Sequence, residues 1–261
     1  MPEGQFLSWQ PGTLYSDKTD TIPWLLEPGS DLVIQVHMNP SGKPEPFECS
    51  VGLYFSDEPP VATPYKIKLT SLAIDIPPNE QKFEVKDEFV LPGDVEVTRV
   101  LPHAHYLCRR MEGYAILPDG SKKWLLLIKN WDFNWQGDYQ YQNSVFLPKG
   151  TKITMNYTFD NTTNNIANPN SPPSRVIYGP QSSDEMAELW FQLVLKNPGD
   201  RPLFDKVSRE KAKATLLEFG RLGFVIDSKN PDLLIMAAQA RLAEQDFRGA
   251  YELYSQVVRL D

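Results

Sequence analysis

The chain has 261 residues, enough for one large domain or two ordinary ones. At 41% hydrophobic and 23% charged it can bury a real core, which excludes a disordered chain. A formal net charge of -8 lacks the basic footprint that non-specific nucleic-acid binding needs, and no stretch reaches the roughly 18 apolar residues that span a bilayer.

From residue 5 to about 195 the pattern is short extended runs broken by turn residues. The chain opens abruptly inside a strand and turn at 5–12, so it is expected to be part of a longer protein; the lack of an apolar leader after Met1 then says little about location. Residues 31–38 alternate, with Leu32, Ile34, Val36 and Met38 on one face and Val33, Gln35 and His37 on the other. Further strands are expected at 49–55, 65–72, 81–91, 95–107, 112–117, 123–129, 152–159 and 186–195. Turn signals separate them, among them Pro77-Pro78-Asn79, Pro92-Gly93-Asp94, Pro118-Asp119-Gly120 and Pro148-Lys149-Gly150. This spacing predicts a mainly β chain, an antiparallel β-sandwich or barrel. Residues 161–173, rich in Asn and Pro, read as a surface loop, and sequons begin at Asn156 and Asn161.

The character changes at Asn197-Pro198-Gly199-Asp200, a linker. A helix is predicted from Ser208 to about Phe219, with Gly220 as its stop, and residues 231–261 read as a helix pair. Leu234, Ala238, Arg241, Phe247, Ala250, Tyr254 and Val257 fall at tetratricopeptide-repeat spacing, with a plain helical hairpin as the alternative. A single repeat cannot bury its own face, so the array is expected to continue past Asp261.

The chain has three histidines, His37, His103 and His105. Histidine is the commonest metal-ligating side chain. In an extended run His103 and His105 share a face, roughly 6.5–7 Å apart at Cα, within reach of one ion. Alone this is a weak signal, because surface or core histidines are commoner. In 186–195, Ala187, Leu189, Phe191, Leu193 and Leu195 occupy one face, and Met186 shares the other with Glu188, Trp190 and Gln192. A lone Met is usually core filler, and a helical reading of this segment would remove the face argument. Two imidazoles and a thioether do not make a zinc set, but they suit copper.

These segments resemble the copper type II, ascorbate-dependent monooxygenases, the family of peptidylglycine α-hydroxylating monooxygenase and dopamine β-monooxygenase. Leu101-Pro102-His103-Ala104-His105-Tyr106-Leu107 resembles the family's His-x-His strand, and Asp184-Glu185-Met186 its acidic-acidic-Met segment. Ile34-Gln35-Val36-His37-Met38-Asn39-Pro40 resembles the Gln-x-His strand of the second copper, and Phe6-Leu7-Ser8-Trp9 the turn before it. The order and approximate spacing match over residues 5–195, nearest to bacterial relatives that continue into tetratricopeptide repeats.

The resemblance implies a jelly-roll-like sandwich of the peptidylglycine monooxygenase and glycoamidase type. Residues 1–40 would close an N-terminal copper domain, 41–197 form the C-terminal one, 198–230 a helical linker and 231–261 a repeat. It implies an oxygen-binding copper on His103, His105 and Met186, a second copper on His37 beside Gln35, and ascorbate or another electron donor. The implied reaction is hydroxylation of an activated C–H bond with dioxygen, in a periplasmic or secreted setting.

Two departures limit this. The second copper needs two more histidines, and none precedes His37, so the oxygenase is expected to be incomplete in this chain. Leu101 stands where the peptide-hydroxylating branch has its carboxylate-anchoring arginine, and Trp190 where it has a tyrosine, so a C-terminal glycine peptide is not the expected substrate. Glu188, Trp190 and Leu101 either line a different pocket or simply pack.

A non-catalytic copper-binding or scaffold protein, with a partner on the repeat segment, is the alternative; a glycoamidase-like reading would require a carboxylate-centred site without metal. Trp124, Trp131, Phe133, Trp135, Tyr139 and Tyr141 form an aromatic cluster, more often packing than a ligand platform. Cys49 and Cys108 are left unassigned between a pair and two separate thiols.

Overall fold

The computed structural model describes residues 22–34, 36, 38, 41–55, 57, 62–226 and 228–260. The chain is mainly antiparallel β, with helices gathered at its C-terminal end. Among the described residues ten strands follow in order: β1 Pro64–Thr70, β2 Asp75–Ile76, β3 Phe83–Val90, β4 Val95–Ala104, β5 Cys108–Ile116, β6 Lys122–Ile128, β7 Tyr139–Leu147, β8 Lys152–Phe159, β9 Val176–Ile177 and β10 Ala187–Leu195. One four-stranded sheet has the order β1-β10-β4-β7, another β3-β8-β5-β6, and β2 pairs with β9.

The period-2 alternation of β4 and β10 explains why their sheet has a dry face. Val95, Val97, Val100 and Ala104, with Leu189, Phe191 and Leu193, join Val85, Met111, Ile153, Met155 and Phe159 of the other sheet in one buried cluster. Turn chemistry closes the strands: Gly120 and Gly150 take φ of 85° and 83° in the β5–β6 and β7–β8 connections, where a side chain would be strained.

Among the described residues two expected strands do not appear. The described residues of 31–38 and 49–55 run as exposed coil, and neither four-stranded sheet takes them up. Alternation only says which face would be buried; a strand also needs a neighbour for its N–H and C=O groups. Gln35 and His37 lie outside the described residues. The Asn161 sequon is closed to modification, because its buried side-chain amide donates to the carbonyls of Ile76, Pro77 and Ser174 at 3.3, 2.9 and 2.8 Å. Asn156 sits in the middle of β8, paired on both sides. Cys49 is exposed and Cys108 buried, two separate thiols.

After a 3-10 turn at Pro198–Asp200 come α1 Arg201–Phe219, the short α2 Gly223–Ile226, α3 Pro231–Ala243 and α4 Phe247–Val258. The first helix begins seven residues before Ser208. Pro202 is tolerated in its first turn, and Phe204 is drawn into the β core. Tyr65 meets Phe204 edge-on at 5.4 Å, and Lys211 pairs with Asp87 at 2.5 Å. Farther along, Phe219 packs edge-on against Tyr178 at 5.6 Å. Asn230 and Asp246 cap α3 and α4, which bury Leu234, Ala238, Ala250 and Leu253.

Candidate metal centre

The register of β10 on β4 builds the site. Trp190 stands opposite Leu101, Glu188 opposite His103, and Ala187 opposite Ala104. Beyond Ala187 and Ala104 the ladder stops, and His105 and Met186 are joined through Glu185, whose carboxyl accepts both of their backbone N–H groups. Because strand residues alternate, Leu101 and His103 share one face of β4, and Glu188 and Trp190 share the same face of β10. Directly opposed residues on such a face have Cβ atoms about 5 Å apart. Leu101, His103, Glu188 and Trp190 therefore lie on one ladder, and His105 and Met186 lie just past its end.

The imidazoles stand edge to face, with centroids 5.2 Å apart and planes at 80°. His103 Nδ1 lies 2.6 Å from Gln136 Oε1, and His105 Nδ1 lies 3.0 Å from the backbone oxygen of Asp184. Both partners are carbonyl oxygens, which only accept, so each Nδ1 donates. Burial, aided by repulsion from His103, holds His105 down at about pKa 4, so its ring is neutral at neutral pH.

Two acidic side chains support the ladder. Glu185 is fully buried, and its carboxyl accepts the backbone N–H groups of His105, Leu107 and Met186. Burial pushes it up to about 8, against the pull of those hydrogen bonds. This clasp ends the β4–β10 ladder and ties the segment before Met186 to the histidine strand. Glu188 is 3% exposed. It accepts from Lys68 Nζ at 3.1 Å and Trp190 Nε1 at 3.0 Å. Burial raises its pKa, but Lys68, Trp190 and His103 outweigh that and hold it below the ordinary range.

Pro102 marks where β4 has lost its second neighbour. It has no N–H for a second ladder, and β7 stops pairing with β4 at Val100. The turn at 131–136 lies against this strand end. Trp131 Nε1 donates to His105 O at 3.1 Å, and Phe133 packs edge-on against the His105 ring at 5.7 Å. Trp131, 6% exposed, lines a cleft of about 280 Å³ with Trp135, 65% exposed, and Tyr139, together with Ile128, Asn130 and Asp132. Sequence reasoning missed Gln136 and the Asp184 carbonyl. The only signal for them is the general need of a ligating imidazole for an acceptor on its other nitrogen.

Among the described residues no three His, Cys, Asp or Glu side chains gather into a metal-type cluster. The candidate donor set counts a thioether instead, with two imidazoles that each donate from Nδ1. Soft sulfur with imidazole suits copper, and the absence of thiolate or free carboxylate in the set argues against zinc.

No protein-family model matches the chain, and no curated protein does. Among solved structures, a chain of the T13 IBDV viral particle is similar at 10% identity and a TM-score of 0.26, over 55% of this chain and 35% of that one. A chain from the infectious bursal disease virus Gt strain is similar at 12% identity and a TM-score of 0.20, over 53% of this chain and 33% of that one. This chain spans about a third of each of those chains.

Proposed function

We propose that the chain is the copper-binding part of a monooxygenase that hydroxylates an activated C–H bond of an organic substrate, with dioxygen and a reductant such as ascorbate. The ladder carries this reading. His103 stands opposite Glu188 on the β4–β10 ladder, His105 and Met186 follow at its end on the two strands, and both imidazoles have an acceptor on Nδ1. Copper in such a set would supply one-electron chemistry toward dioxygen.

The chain's own residues would do the rest. His103 and His105 would hold the ion through their ring nitrogens. The Leu101–Trp190 rung next to the His103–Glu188 rung offers an apolar surface on which a substrate carbon can lie. Glu188, neutralised by Lys68, adds little net charge beside the ion. The surrounding architecture is read as a jelly-roll-like β-sandwich, since the two four-stranded sheets bury their faces in one core. His37, with Gln35, is proposed for a second copper whose other ligands would come from elsewhere.

A second reading, a copper-binding scaffold with a protein partner, gains from α4. Phe247 is 69% exposed, and Tyr251 and Val258 are exposed beside it, as on a tetratricopeptide-like pair awaiting a neighbour.

Copper(I) titration separates the readings from an unrelated function. The parent is expected to show one strong site, lost in His103→Ala, His105→Ala and Met186→Ala alike. A parent with no strong site, or one indifferent to all three changes, refutes both. Ascorbate-dependent oxygen uptake that needs added organic substrate favours the oxygenase over the scaffold.

A further inference from the structure

We infer that Gln136 is a positioning residue that holds His103 in the Nδ1–H tautomer and so dictates that Nε2 faces a metal. Its purpose rests on the copper reading above; its geometry does not.

A neutral imidazole has two tautomers, and the hydrogen bond at one nitrogen selects between them. For His103 that bond runs from Nδ1 to Gln136 Oε1 at 2.6 Å. An amide can be turned end for end, but Gln136 Nε2 donates to Phe133 O at 2.9 Å. Turning it would set two oxygens face to face and point an NH2 at the ring. The acceptor is therefore oriented before any metal arrives.

The turn that carries Gln136 is itself held. Trp131 N donates to Arg109 O at 2.9 Å, Asp132 Oδ1 accepts from Asn134 N at 2.9 Å, and Trp135 N donates to Asp132 O at 3.0 Å. Trp131 and Phe133 rest on His105 while Gln136 holds His103, so one six-residue turn touches both rings. The two histidines are not equivalent, however. The acceptor for His105 is a backbone carbonyl, which side-chain substitution cannot remove. The acceptor for His103 is a side chain, and the two can be uncoupled.

The test uses the full chain without metal, labelled with nitrogen-15, and reads the imidazole nitrogens by long-range proton–nitrogen correlation at about pH 8, above the ordinary histidine range. Single histidine substitutions assign the signals. In the parent, His103 and His105 are both expected as Nδ1–H. In Gln136→Leu, His103 alone is expected to lose that pattern, while Gln136→Glu, which keeps an acceptor, restores it. Copper(I) affinity is expected to fall about 10–100-fold in Gln136→Leu and to recover in Gln136→Glu. The inference is overturned if His103 is Nε2–H in the parent, or stays Nδ1–H in Gln136→Leu. A parent with the expected tautomers that takes up no copper overturns the copper reading and supports the role of Gln136.

Discussion

Glu185 uses its carboxyl to accept the backbone N–H of His105 from across the end of the β4–β10 ladder, and accepts those of Leu107 and Met186 as well. A side chain with no exposed surface thereby replaces the strand pairing that would otherwise satisfy these donors. Glu185→Ala strands buried N–H groups, and each costs about 1–3 kcal/mol. A loss of roughly 3 kcal/mol or more in denaturant unfolding is expected, together with weaker copper binding. Glu185→Gln keeps one good acceptor and should fall between. Equal stability of Glu185→Ala and the parent would show that the clasp is not formed.

Lys68 and Glu188 should respond unequally to loss of the partner. Glu188 is almost wholly buried, whereas Lys68 is about one-third exposed and can turn to water. Lys68→Met leaves a buried carboxylate with only Trp190 Nε1, so a cost of about 3 kcal/mol is expected. Glu188→Gln keeps an acceptor for Trp190 and frees a lysine that hydrates, at about 1 kcal/mol. Chemical denaturation of the two variants gives the order; the reverse order contradicts this account.

Met186→Leu keeps volume and removes sulfur. Half-buried at the ladder's end, the position should tolerate the swap within about 1 kcal/mol. Copper(I) affinity is expected to fall more than about tenfold, because an alkyl group offers no soft ligand. Isothermal titration beside thermal melting tells a lost ligand from a damaged fold.

Stability should decline in alkali. Burial raises the phenol of Tyr178 from 10.0 to about 12 and pushes those of Tyr157, Tyr141 and Tyr65 upward too. Between about pH 10 and 12 the unfolded chain releases protons that the folded chain keeps, so the unfolded state gains. The stabilisation is complete below about pH 10 and is lost as pH rises through the folded values. Denaturation midpoints at about pH 8 and pH 11, with phenolate absorbance followed in parallel, check the sign.

What could be read from sequence followed from one-sided burial. The strand at 152–159 and the two faces of 186–195 were legible because a dry core face imposes period 2. Strand β7 was not, since Tyr139, Gln140, Gln142, Asn143, Ser144 and Phe146 leave only a few residues to mark an inner face. The runs at 31–38 and 49–55 were overread, because alternation carries no information about whether a pairing neighbour exists. The meeting of Leu101, His103, Glu188 and Trp190 depended on register between strands some eighty residues apart, which face assignment anticipated in direction but could not place rung by rung. Gln136 was invisible, since its role depends on a turn and on the break in pairing after Val100.

The burial of Phe204 has a practical side. A cloning boundary drawn at Asn197-Pro198-Gly199-Asp200, where the composition invites one, would remove an aromatic plug from beneath Tyr65 and the lysine that meets Asp87. It would also strip Phe219 from Tyr178, the residue bridged to Glu185 at the foot of the methionine segment. Anyone trimming this protein to its β portion for crystallisation should keep α1 together with α3, because Phe219 shares one buried cluster with Leu233, Leu234 and Ala237; a version cut sooner would loosen the sulfur-bearing segment.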